Sequence, residues 1–177
     1  VSITCGYDWI EPSQLELETL WIIIKQSMPV EDELDLYLQI LSTGLDGRCL
    51  EKFIIANAKG GNGKGLLNEL MEYVLGDYAY ILPSEILLKP IKTDGNPAVA
   101  NMNRKRLVIA REPDKNRKFD CSTIKEITGG TGMTARLNYA NEGKIKLNLT
   151  FILECNEKPQ LNETTNAIER RILDIPF

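Results

Sequence analysis

Apolar residues along this chain follow two spacings, and the change between them divides it near residue 50. Before that point the spacing is helical. Ser13-Gln14-Leu15-Glu16 is a capping-box pattern behind Pro12, which predicts a helix to about Gln26, ended by Pro29. Its run Leu20-Trp21-Ile22-Ile23-Ile24 is expected to pack into the core. A second helix should start after Pro29, with Glu31, Asp32 and Glu33 in the turn where the helix dipole favours acids. Its stripe is Leu34, Tyr37, Leu38 and Leu41, and Gly44 should close it.

After residue 50 the apolar residues come in short runs, unbroken from Phe53 to Ala56 and from Leu107 to Ala110 and interrupted by Thr150 and Glu154 from Leu149 to Cys155. Runs of that length suit strands covered on both faces of a parallel sheet. Between them, Leu66, Leu67, Leu70, Met71, Val74 and Leu75 form a helical stripe stopped by Gly76, and Tyr80-Ile81-Leu82 is a short strand. Pro83 and a Ser84 cap open a brief helix before Pro90, Thr93 to Pro97 is a loop, and Ser122 should cap a helix through Ile127 that Gly129-Gly130 ends. Residues 134–139 and 144–147 read as a hairpin turning at Asn141-Glu142-Gly143. Thr165 to Ile172 reads as helical and Leu173 to Phe177 as a closing strand. The fold class is α/β: a central, mostly parallel sheet flanked by helices, with a helical segment over 1–50 and the principal domain over 51–177.

Composition narrows the chemistry. With 177 residues and 43% hydrophobic content, one full core is expected. The formal charge of -4 is unevenly spread: residues 1–50 hold two basic and nine acidic residues, a balance of -7, which leaves +3 for the remainder. The chain has no histidine, so Ser-His-Asp and Cys-His nucleophiles and the H-E-x-x-H metalloproteases are excluded. Cys5, Cys49, Cys121 and Cys155 lack metal-site spacing and suit a reducing, intracellular compartment. No apolar run approaches the ~18 residues that span a bilayer. The missing initiator Met and signal peptide suggest a piece of a longer protein.

The first apolar run feeds Ala58-Lys59-Gly60-Gly61-Asn62-Gly63-Lys64-Gly65-Leu66, and a helix follows. Three glycines in four positions let backbone amides turn around an anion, Lys64 adds a point charge, and the helix offers its positive end. Against G-x-x-x-x-G-K-[ST], Ala58 replaces the first Gly and Gly65 the hydroxyl residue. The alternative is a Gly-Asn-Gly surface turn with Lys64 solvated. At the end of the second run, Glu112 and Asp114 flank Pro113, and residues 104–118 carry seven basic residues. Those cations form either a positive rim around the acidic site or a solvated charged edge.

Several stretches in order resemble the superfamily 3 helicases, specifically the poxvirus-type primase-helicases of large DNA viruses and phages. They are Gly60-Gly61-Asn62-Gly63-Lys64, Lys105 to Glu112, Lys125-Glu126-Ile127-Thr128-Gly129-Gly130, Glu154-Cys155-Asn156-Glu157-Lys158-Pro159 and Ala167 to Ile172. The resemblance covers about residues 30–177. It implies an AAA+-like P-loop NTPase core, a homo-oligomer of hexameric type, ATP with Mg2+ at subunit interfaces, and movement along single-stranded DNA. A primase and other flanking domains are implied on the longer chain.

By that resemblance, Lys59, Gly60, Gly61, Asn62, Gly63, Lys64, Gly65 and Leu66 hold the nucleotide. Glu112 and Asp114 serve water and metal, Asn156 is a polar sensor, and Arg170 and Arg171 form the arginine-finger region. Lys125, Arg136, Lys144 and Lys146 map to DNA contacts, for which a structural hairpin with solvated lysines is the alternative. Thr131 stands where an acidic residue is common in the poxvirus-type proteins. Two rival functions stay open: an NTP-binding oligomerisation module without hydrolysis, suggested by Gly65, and a P-loop kinase of small molecules.

Overall fold

A computed structural model describes residues 3–60, 63–91, 96–112, 116–130, 132–136 and 142–177, with side chains for all but 133–136 and 142–144. The apolar runs become parallel strands. Strand β7 (Thr150–Cys155) lies at the centre between β1 (Phe53–Asn57) and β3 (Leu107–Arg111), and β3 adjoins β2 (Ala79–Leu82) at one edge. β9 (Ile172–Pro176) closes the other edge, giving the order β2-β3-β7-β1-β9 with every pair parallel.

Both faces of the sheet are covered, which is why the strands read as continuous rather than alternating runs. Phe53, Ile55, Val108, Ala110, Phe151 and Leu153 share one face with the helices α4 (Pro97–Asn101), α5 (Cys121–Thr128) and α6 (Asn166–Glu169). There Phe53 stacks on Phe151 at 5.0 Å and meets Phe119 edge-on at 6.3 Å. Ile54, Ala56, Leu107, Ile109 and Ile152 face α2 (Glu31–Asp46) and α3 (Lys64–Leu75). Because all five strands run the same way, their C-terminal ends share one edge of the sheet, the usual place for a ligand in an open α/β fold.

Helix α1 (Gln14–Ser27) has the expected reciprocal capping box between Ser13 and Glu16. Most of its apolar run is not core: Trp21 is 44% exposed and Leu20, Ile22 and Ile23 also face outward, whereas Ile24 is partly buried against the core and Ser27 is the buried position of the helix. Helix α2 continues three residues past the expected stop, because Gly44 packs against Leu75 and Leu107 and Gly47, in the left-handed region, provides the cap. In α3, Leu67 and Leu75 are buried while Leu66 and Val74 face outward. Gly76 ends that helix at positive φ but outside the left-handed helical region.

Smaller elements also shift. Ser84 lies inside a 3-10 turn over Ser84–Leu88 whose cap position is Pro83. Asp120, not Ser122, caps α5, accepting from the amide of Thr123, while Ser122 donates to Asp120. The hairpin pairs β5 (Gly132–Arg136) antiparallel with β6 (Glu142–Lys146), and Arg136 opposes Glu142. Glu142 and Gly143 are therefore strand rather than turn. The helix expected over 165–172 covers Asn166–Glu169, since Ile172 already pairs with Phe53. The two-residue strands β4 (Lys118–Phe119) and β8 (Gln160–Leu161) pair apart from the main sheet.

Candidate functional site

The loop after β1 and the first turn of α3 meet the ends of β3 and β7 at the C-terminal edge. Lys64 is buried to 7% exposure. Its Nζ donates to the Cys155 carbonyl at 2.7 Å and lies 3.4 Å from Asn156 Oδ1. Asn156 Nδ2 lies 3.5 Å from Glu112 Oε1, so a lysine, an amide and a carboxylate from three separated stretches form one row. The loop joins the same tip through the Ala58 amide, which donates to the Cys155 carbonyl at 3.2 Å. Burial pushes the Cys155 thiol up to about 11, against the pull of Lys64, so it stays protonated and unreactive at neutral pH.

Each member of the row is placed by its element. Gly63 caps α3 with φ of 85°, and a Cβ there would sit 2.7 Å from Ser27 Cβ, so the end of α1 presses on the loop where only glycine fits. At Gly65 a Cβ would meet nothing nearer than Glu69 Oε1 at 4.0 Å. The missing hydroxyl is therefore not imposed by packing. Lys59 and Gly60 are exposed, and Gly60 has φ of 91°. The Leu66 amide donates back to the Gly63 carbonyl at 3.0 Å. Glu112 follows β3 with φ of 48°, a left-handed conformation rare for a residue with a side chain, and its amide donates to the Glu154 carbonyl at 3.2 Å. Gly61, Asn62 and Asp114 lie outside the described residues.

Behind the row runs a buried polar chain that periodicity alone did not single out. Tyr37 Oη donates to Asn68 Oδ1 at 2.6 Å, and Asn68 Nδ2 donates to Glu154 Oε1 at 2.8 Å. Arg111 Nε donates to Glu154 Oε2 at 3.2 Å, and the same guanidinium pairs with Glu72. Burial pushes the Tyr37 phenol far up and raises the Glu72 carboxyl, the latter against the pull of Arg111. A signal for this chain existed: strand alternation puts Arg111 and Glu154 on the α3 side of the sheet, and Asn68 is one turn after Lys64.

The expected positive rim does not form as one surface. Lys105 and Arg106 lie at the start of β3, the edge opposite Lys64. There Lys105 donates to the Asp77 carbonyl and Arg106 covers the Tyr78 ring at 4.2 Å. Arg111 is committed to Glu72 and Glu154, while Arg117 and Lys118 are exposed. A cleft of about 600 Å³ beside β2, lined by Tyr73, Tyr80 and Glu69 among others, lies behind Arg111 rather than at the loop, so it is not the site.

Arg170 and Arg171 precede β9 and therefore lie at the opposite edge, away from Lys64 of the same chain. Arg171 is mostly buried and donates to the Ala167 carbonyl at 2.8 Å, whereas Arg170 is exposed. Lys125 on α5 is paired with Glu163 at 2.6 Å, and Lys146 at the end of β6 is exposed. The side chains of Arg136 and Lys144 are outside the described set. Among the described residues no group of three or more Cys, Asp or Glu could hold a metal ion, and no helix is long and apolar enough to cross a membrane.

The chain matches the model of DUF5906, a family of unknown function, over residues 56–171 and belongs to that family. It is 29% identical over its full length to “Putative helicase L207/L206” of Acanthamoeba polyphaga mimivirus, covering 19% of that protein. It is 30% identical over 81% of its length to Primase D5 of fowlpox virus, again covering 19% of that protein. The uncoating factor OPG117 of vaccinia virus is 30% identical over 92% of this chain, which covers 22% of that protein. The chain thus spans about a fifth of these relatives and is related to helicase and primase proteins of large DNA viruses. A solved structure described as the A form apo structure of the NrS-1 C-terminal region superposes with a TM-score of 0.70 at 16% identity, covering 99% of this chain and 41% of that one. That likeness concerns the fold, an α/β core with a central parallel sheet.

Proposed function

We propose that this chain is the ATP-hydrolysing motor core of a viral or phage-type DNA helicase, an AAA+-like P-loop NTPase of superfamily 3 that works as a ring, of hexameric type, on single-stranded DNA. The observation that carries it is the row Lys64, Asn156 and Glu112 at the C-terminal edge, with the Lys64 ammonium held against the β7 tip. Kinship with viral proteins named helicase and primase supports the same reading.

The chemistry follows from charge. Cleaving a phosphoanhydride requires neutralisation at the outer phosphates and an oriented water. Lys64, with loop amides of residues 59–65, binds the phosphates, and the N-terminal end of α3 adds its dipole. The exposed Glu112 carboxylate orients water and takes its proton, and the Asn156 amide fixes that carboxylate while contacting the water or terminal phosphate. Gly65 offers no hydroxyl, so Glu112 and Asp114 would hold a bound Mg2+ through its outer shell. Bound Mg2+ supplies charge neutralisation at the phosphates. Arg170 serves the site of a neighbouring subunit, because it cannot reach Lys64 of its own chain. Lys125, Arg136, Lys144 and Lys146 line the DNA path, making contacts to phosphates rather than bases.

Steady-state ATP turnover with Mg2+ and single-stranded DNA tests the reading in the full-length protein. Lys64→Ala should lose nucleotide binding. Glu112→Gln should bind ATP yet turn it over about 100-fold more slowly, in the range of general-base loss. Wild-type turnover in Glu112→Gln would refute the role of Glu112. Nucleotide binding without any turnover in the wild type would favour the oligomerisation module that Gly65 suggests. A monomer transferring phosphoryl groups to a small molecule would favour the kinase.

A further inference from the structure

The left-handed backbone of Glu112 needs a cause. For a residue with a side chain such a conformation is costly and persists only where its surroundings over-determine it. The chain of contacts behind the row supplies that constraint. Arg111, the residue before Glu112, lies directly opposite Glu154 in the β3–β7 register, and the Glu112 amide donates to the Glu154 carbonyl. One guanidinium thus ties β3 to β7 through Glu154 and to α3 through Glu72. The second oxygen of Glu154 is occupied by Asn68, one turn along α3 from Lys64, and Asn68 is held by Tyr37 of α2.

We infer that Arg111 and Glu154, backed by Glu72, Asn68 and Tyr37, are positioning residues that lock Glu112 in its left-handed conformation against Asn156 and fix α3 to the β7 tip. The inference rests on the reading of Glu112 as the residue that orients water. Packing alone does not explain these groups. Glu154 is 6% exposed and Asn68 fully buried in a face otherwise lined by Ile54, Ile109 and Ile152, where a buried charge is retained at a desolvation cost and its geometry is the gain. The network also reaches both strands that lead into Glu112 and Asn156 and the helix that carries Lys64. Tyr37 extends it to the N-terminal helical segment, so that segment shares in setting the site.

The test uses the full-length protein and three variants: Glu154→Gln, Arg111→Ala and Arg111→Lys. Glu154→Gln can still accept from one neighbour but not from both. Expected are a fall in kcat of about tenfold or more in Glu154→Gln and Arg111→Ala, nucleotide Kd within about threefold of wild type, and partial recovery in Arg111→Lys. Tyr37→Phe removes only the far hydroxyl and should lower kcat a few-fold, which gives a readout if a charged variant fails to fold. Amide exchange read on the peptide containing Glu112 should be about tenfold faster in Glu154→Gln. Unchanged kcat in folded Glu154→Gln, or a loss that follows nucleotide affinity alone, would overturn the inference. If Glu112→Gln hydrolyses like wild type, the hydrolytic reading fails instead, and the exchange measurement decides the positioning claim by itself: unaltered exchange at Glu112 rejects it and faster exchange sustains it.

Discussion

At Glu112 a single position trades stability against chemistry. Glu112 sits at φ of 48° while reaching Asn156, so backbone preference opposes the placement of its carboxylate. Glu112→Gly should therefore raise stability by about 1 kcal/mol while removing turnover. Thermal unfolding and an ATPase assay check the two halves, and a lower melting temperature would contradict the strain. Gly65 carries no such conflict, since a Cβ there would make only ordinary contact with Glu69 Oε1 at 4.0 Å. Gly65→Ser should fold normally and reduce the Mg2+ concentration needed for half-maximal turnover; an unchanged requirement would show that a loop hydroxyl has no place in this shell.

At the scale of elements, helix ends carry most of the local specification. Asp120 caps α5 by accepting from the Thr123 amide, and it also takes hydrogen bonds from Ser122 and Asn162, which ties α5 to the segment after β8. Burial works to raise the Asp120 carboxyl, but these hydrogen bonds outweigh it and hold the group below the ordinary aspartate range. A carboxylate with a depressed folded value stabilises above its unfolded value, near 3.9, and loses that contribution as pH falls through the folded value. Asp120→Ala should cost about 1–2 kcal/mol at neutral pH, the range for a lost N-cap. Denaturant unfolding against pH should show the gap to wild type closing below about pH 4. Glu72 and Glu126 behave in the opposite sense: burial raises both, so each favours folding more as pH falls through its raised value.

At the scale of the whole molecule, the two arginines before β9 separate. Arg171 is held inside by the Ala167 carbonyl and has a buried Nε without a hydrogen-bond partner, whereas Arg170 is exposed. Arg171→Ala should lower the melting temperature by several degrees, as expected for loss of about 1–2 kcal/mol. Arg170→Ala should leave it unchanged and reduce turnover only in assembled protein. Mixing Arg170→Ala with Lys64→Ala protein should then restore part of the activity, since each intact group would meet the other at one kind of interface. Absence of restoration in mixed, assembled rings would count against a finger acting in trans.

Much of this architecture was legible along the chain because its signals are local. Short, mostly apolar runs specified strands covered on both faces, the Ser13–Glu16 box marked a helix start, and the glycine-rich turn before Lys64 marked where a loop meets a helix. Local spacing could not decide which apolar residues are covered. Trp21 and Ile22 read as core, yet α1 meets the body of the molecule mainly at its end, and Gly44 read as a stop although it is a close-packing position within the last turn of α2. Nor could spacing order the strands, and that order is what sets β7 between β1 and β3. It places Asn156 between Lys64 and Glu112, carries Arg170 to the far edge, and pairs Arg111 with Glu154 across the sheet. Short-range periodicity reports what each segment can bury. Only long-range strand pairing, whose partners lie tens of residues apart, decided which polar groups share one site.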